Sequence, residues 1–169
     1  MRSRASSGSP QSLRMQATNS GYQSRHRYNF SPISPMTPYI ASYLWGIITL
    51  LILDGIMITY VVLPLFRRHI GDIIATTPNM LAAWLFYLLY IGFILFLLVL
   101  PAMRWEIQLD ILMRNAFLIG IMCYMTYELT NMTMIRGWSW GMVATDVLWG
   151  WVLTVIVTYV MYRVFSYFI

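Results

Sequence analysis

Four long apolar stretches dominate the chain, and short polar stretches separate them. They are 43–66 (YLWGIITLLILDGIMITYVVLPLF), 80–102 (MLAAWLFYLLYIGFILFLLVLPA), 115–135 (NAFLIGIMCYMTYELTNMTMI) and 142–165 (MVATDVLWGWVLTVIVTYVMYRVF). Each is long enough to cross a bilayer, which takes about 20 mainly apolar residues in a helix. The connections RRHIGDIIATTPN, MRWEIQLDILMR and RGWSWG are short, so consecutive spans must run antiparallel. The pattern predicts an all-α integral membrane protein, with residues 42–169 folded as an up-down bundle of four transmembrane helices. Pro64 and Pro101 fall in the last turn of spans one and two, where proline ends or kinks a helix. Ahead of the first span the pattern disappears. Residues 1–41 contain Ser, Pro, Gly, Gln, Asn and five arginines, no acid and no sustained apolar period, which predicts a disordered arm.

Composition agrees with a membrane class and removes several chemistries. The 169 residues are 59% hydrophobic and only 10% charged, too little charge to cover a soluble domain of this size. Cys123 is the one cysteine, which excludes disulfide and multi-cysteine metal frameworks. His26 and His69 both read as outside the bilayer, against a bis-histidine haem site within it. No cofactor and no metal site follows from the sequence. No Gly-rich phosphate loop, zinc-ligand set or Ser-His-Asp constellation is present, so the reading leans away from an enzyme.

Arginine places the spans. Arg2, Arg4, Arg14, Arg25, Arg27, Arg104, Arg114 and Arg163 fall on one side, and Arg67, Arg68 and Arg136 on the other. The richer side is normally cytoplasmic, or the matrix side in a mitochondrion, so both termini are expected to face in. Trp45, Trp84, Trp105, Trp138 and Trp140 fall near the expected interfaces, as aromatic belts do. Two readings of the basic arm stay open: a tail whose arginines lie on anionic lipid headgroups, or a mitochondrial transit peptide. A lipid surface is much nearer to these arginines than any nucleic acid, and no nucleic-acid partner is expected.

The candidate chemistry lies in the few polar positions inside the spans. In span three, Gly120, Tyr124, Tyr127, Glu128 and Asn131 recur at spacings of three and four, one stripe of a helix. In span four, Asp146, Trp149, Gly150 and Thr154 form another; Tyr87 and Tyr90 share a face of span two, and Asp54 lies near the middle of span one. At about 1.5 Å per residue, Glu128 lies roughly 10 Å inside the end of span three and Asp146 roughly 6 Å inside the start of span four. The tight 136–141 connection keeps those spans adjacent, so the two acids are expected to approach. No arginine sits at these depths. An unpaired carboxylate there costs several kcal/mol, so each acid is neutral, wet, or bound to a cation or substrate group. Tyr87, Tyr90, Tyr124, Tyr127, Thr130 and Asn131 supply hydrogen bonds to a carboxyl, and Trp149 completes the candidate cluster. The competing reading is structural: carboxyls, Asn and Tyr tying helices together, at about 0.6 to 2 kcal/mol per bond.

The runs LFYLLYIGFILFLLVLPAM, AFLIGIMCYMTYELTNMTMIRGW and TDVLWG resemble a family of small four-helix membrane proteins, domain of unknown function twenty-one seventy-seven. The resemblance covers roughly residues 44–166. It is carried by Tyr124, Tyr127, Glu128, Leu129, Thr130 and Asn131 (Tyr-x-x-Tyr-acid-Leu-Thr-Asn), by Asp146, Trp149 and Gly150, and by Phe86, Tyr87 and Tyr90. The chain departs from the pattern in carrying Glu128 where relatives usually have Asp, and in lacking a tryptophan after Asp54. The resemblance implies the fold and topology and no established activity; the frequent encoding of relatives beside fatty-acid-modifying enzymes implies a link to lipid chemistry. Two functions are therefore expected of different kinds. One is an intramembrane carboxyl and tyrosine site that binds or moves a proton, cation or small polar solute. The other is a non-catalytic subunit or scaffold, associated with lipid modification or a larger membrane complex. Four helices are few for a transporter monomer, so transport implies a homodimer.

Overall fold

The structure, a computed structural model, describes residues 36–169. Residues 1–35 of the expected arm lie outside the described residues. Four helical spans follow, with no strand among the described residues. Span one is α1 (Thr37–Met57), a π-helical turn (Ile58–Val62), α2 (Leu63–Ile70) and a 3-10 turn (Gly71–Ile73). Span two is α3 (Met80–Ile94), a second π-helical turn (Leu95–Val99) and α4 (Leu100–Arg104). Spans three and four are single helices, α5 (Leu109–Met134) and α6 (Trp140–Tyr167).

Helix starts earlier than the apolar pattern does. Residues 37–41, expected in the arm, form the first turn of α1. Pro38 occupies that turn, where its fixed φ suits a helix start and its missing N–H has no partner to lose. Ser42 one turn later is buried and donates to the Met161 carbonyl at 2.9 Å, tying the start of span one to the end of span four. Span one also runs on to Ile73, for 37 residues in all, longer than a hydrocarbon core of about 30 Å requires at about 1.5 Å per residue. Arg67, Arg68 and His69 form the last turn of α2, where positive charge suits the helix C-terminal dipole.

Neither proline ends its span. Proline has no N–H for the carbonyl four residues back, and its ring crowds that carbonyl. Both spans relieve this just upstream with an i→i+5 bond: Leu63 N–H donates to the Ile58 carbonyl, and Leu100 N–H to the Leu95 carbonyl. The helix then continues through Pro64 and Pro101.

Span four is the axis of the bundle. Met142, Val143, Gly150, Leu153, Thr154, Val157, Thr158, Met161 and Phe165 are its buried positions, a stripe at spacings of three and four. It packs along both span one and span three. Glycines set the approach. A Cβ on Gly46 would stand 2.7 Å from Met161 Sδ, and one on Gly120 would stand 2.7 Å from Trp151 Cα. A Cβ on Gly150 would overlap the Tyr124 ring.

Two apolar clusters result. The larger, towards the end of the bundle where span one starts and span four ends, includes Leu50, Ile91, Ile94, Leu98, Leu112, Ala116, Leu153, Val157 and Phe165. The smaller, towards the opposite end, is Ile70, Trp138, Met142 and Val143. Along span four the polar positions 146–154 lie between them. The outward faces carry large apolar side chains such as Ile52, Leu85, Phe96 and Leu148, the surface a bundle presents to lipid.

Candidate functional site

Trp138, in the connection between spans three and four, turns inward. Gly137 makes this possible: its φ is +90°, and a Cβ there would stand 2.9 Å from the His69 carbonyl oxygen. With the backbone held against the end of span one, the Trp138 indole lies under the bundle end at 9% exposure and edge-on to Phe66, ring centroids 5.2 Å apart. Its Nε1 donates to Glu128 Oε2 at 2.8 Å. Trp138, expected near an interface, is in addition a donor to a buried acid.

Glu128 is 0% exposed, and its second oxygen, Oε1, receives no donor. Asp146 of span four is the neighbouring acid. The Asn131 amide nitrogen, next on the stripe, is also buried without an acceptor, and Asn131 neighbours the Tyr127 hydroxyl.

Asp54 is reached from two other helices. Tyr87 on span two donates to its Oδ2 at 3.0 Å, and Trp149 Nε1 on span four donates to its Oδ1 at 3.2 Å. Asp54 and Asp146 both face the same cleft. Tyr90 lies one turn from Tyr87 and donates to Thr154 Oγ1 at 2.6 Å; that hydroxyl in turn donates to the Gly150 carbonyl at 2.6 Å. Tyr124 packs its ring onto Gly150.

Of the ten candidates, nine therefore converge. Thr130 does not. It is exposed and donates to the Thr126 carbonyl of its own helix at 2.6 Å. Two residues beyond Glu128 is about 200° around a helix, which points Thr130 away from the acids. Trp138 and Thr154 join the cluster from outside the candidate set. Among the described residues, no group of three or more His, Cys, Asp or Glu side chains is placed to hold a metal ion.

A cleft of about 670 Å³ opens against this cluster. Asp54, Asp146, Tyr87, Tyr90, Tyr124, Tyr127 and Trp149 form its polar and aromatic side. Glu128 does not line the cleft; it is buried beside Trp138. The volume falls in the range of about 300–1,000 Å³ found for small-molecule sites. Polar groups converging in an apolar cleft are the usual form of such a site.

Residues 39–163 match a family model described as "Predicted membrane protein (DUF2177)". That stretch contains every residue of the cluster. The curated proteins compared contain no match, and neither do the solved structures. With most of its length matched and four helices long and apolar enough to cross a bilayer, the chain belongs to this family of predicted membrane proteins.

Proposed function

We propose that this integral, multi-pass membrane protein binds a cationic solute, a proton included, at the carboxyl and tyrosine cluster within the bilayer. The observation that carries the reading is the meeting of Asp54, Asp146 and Glu128, supported by indole and hydroxyl donors, with a cleft against two of them. Intramembrane acids are costly and usually mark ion or substrate paths. A cation in the cleft would supply positive charge beside Asp54 and Asp146, which both line it. Both termini face the cytoplasm, or the matrix, in this proposal, following the arginine distribution. Transport would require a second copy of the chain to complete an alternating path.

The experiment is reconstitution into proteoliposomes with an internal proton-sensitive dye. An imposed cation gradient should drive a dye response in the parent that Glu128→Gln removes while keeping the fold. An identical response from empty liposomes would overturn the reading. The second reading, a non-catalytic subunit or scaffold, draws on Asp54, both of whose oxygens are already bonded inside the bundle. It predicts no dye response and a stability loss from every change in the cluster.

A further inference from the structure

The carboxyl cluster is only one side of the cleft. Ile58 and Val62, from the π-helical turn of span one, and Phe86, Leu89 and Phe93 of span two make the other. Leu89 is 50% exposed, Phe93 57% and Tyr127 55%, all on spanning helices. The mouth therefore opens sideways into lipid. What enters by this route must be soluble in hydrocarbon. What gains from two carboxyls must carry positive charge. The aromatic faces between the two zones favour a diffuse cation, since a ring face attracts positive charge most when both partners are desolvated.

Size points the same way. A bare or partly hydrated inorganic ion occupies little more than one or two waters, each with a share of about 30 Å³ in the liquid. The cleft offers about 670 Å³, and its larger wall has no polar group to replace a hydration shell. An inorganic ion would leave that wall unfilled.

We propose, resting on the reading that the cluster binds a cation, that the ligand is a lipophilic organic cation. It would be an ammonium-type centre carrying bulky aromatic or aliphatic groups, entering from the bilayer and placing its charge between Asp54 and Asp146. Its apolar groups lie along Ile58, Val62, Leu89 and Phe93. Ala83 is the one small residue of this wall, and the space over it takes part of the ligand's bulk.

The test uses the full chain in lipid nanodiscs and equilibrium binding of tetraphenylphosphonium. Tetraphenylborate has nearly the same size and shape with the opposite charge. Tetramethylammonium keeps the charge without the apolar bulk. Saturable binding of tetraphenylphosphonium is expected, with none for tetraphenylborate and binding at least about tenfold weaker for tetramethylammonium. Asp54→Asn should weaken the first by about tenfold or more, and Ala83→Trp, which fills the cleft without touching a carboxyl, should abolish it. Helical circular dichroism and a single monodisperse peak confirm each fold; should Asp54→Asn fail them, Ala83→Trp carries the test. Equal saturable binding of the borate would show an apolar groove indifferent to charge and overturn the proposal. So would tetraphenylphosphonium binding unchanged by Ala83→Trp. Binding of tetramethylammonium without tetraphenylphosphonium would overturn the lipophilic ligand and leave the cation site standing. Binding of neither, together with a silent dye assay, would remove both.

Discussion

Replacing Trp138 with phenylalanine keeps a ring against Phe66 and deletes a single donor, the Nε1–H that reaches Glu128 Oε2 at 2.8 Å. Glu128 has no exposure through which water could take over, and its other oxygen already lacks a donor. Leaving a buried polar group unsatisfied costs about 1–3 kcal/mol. Measured polar couplings inside membrane bundles are smaller, about 0.6 kcal/mol on average and about 1.7 at most. The full burial of Glu128 places this bond near the top of that range, so a coupling of about 1–2 kcal/mol is expected. Loss of indole volume adds a packing cost, so the single change measures the sum. A double-mutant cycle separates them. In a Glu128→Leu background the indole has lost its acceptor, and Trp138→Phe should cost only the packing part. Equilibrium unfolding in mixed detergent micelles, followed by circular dichroism, gives the four stabilities. A coupling indistinguishable from zero would refute the argument that the inward Trp138 is a polar partner as well as an apolar lid.

Gly150→Ala should be among the most damaging single changes, at about 3 kcal/mol, the upper end of ordinary overpacking, because its new methyl would overlap the Tyr124 ring where spans three and four already meet at Gly120; a loss under about 1 kcal/mol in the same unfolding assay would show that the two helices part easily. Thr130→Val should change stability by less than about 0.5 kcal/mol and leave cation binding intact, since this exposed side chain bonds only to its own helix; loss of binding would return Thr130 to the site.

How far the sequence could be read depended on how local each cause is. The spans were legible because a bilayer demands uninterrupted apolar length, and the ends moved where local chemistry extends a helix beyond its oil: Pro38 in the first turn of α1, the basic last turn of α2. The meeting of Glu128 with Asp146 followed from helix spacing and a short connection. Trp138 was not legible as a donor, because a tryptophan beside a turn reads equally well as an interfacial anchor. Its inward turn depends on the seating of Gly137 against the His69 carbonyl, a contact between residues 68 positions apart. Thr130 was readable and misjudged, since its two-residue offset from Glu128 already placed it on another face. The π-helical turns were half legible. The prolines marked where a carbonyl loses its partner, but whether a helix ends, kinks or shifts to i→i+5 is decided by the neighbours that hold it straight.

Infrared difference spectroscopy of the carboxyl bands, on the full chain in nanodiscs, reaches the central claim most directly: that a cation binds beside Asp54 and Asp146 in the cleft. Adding tetraphenylphosphonium should shift carboxyl bands of the parent, and the shift should be absent from the double variant Asp54→Asn, Asp146→Asn. A parent whose carboxyl bands do not respond to the cation would contradict the account and leave these acids as a tie between helices.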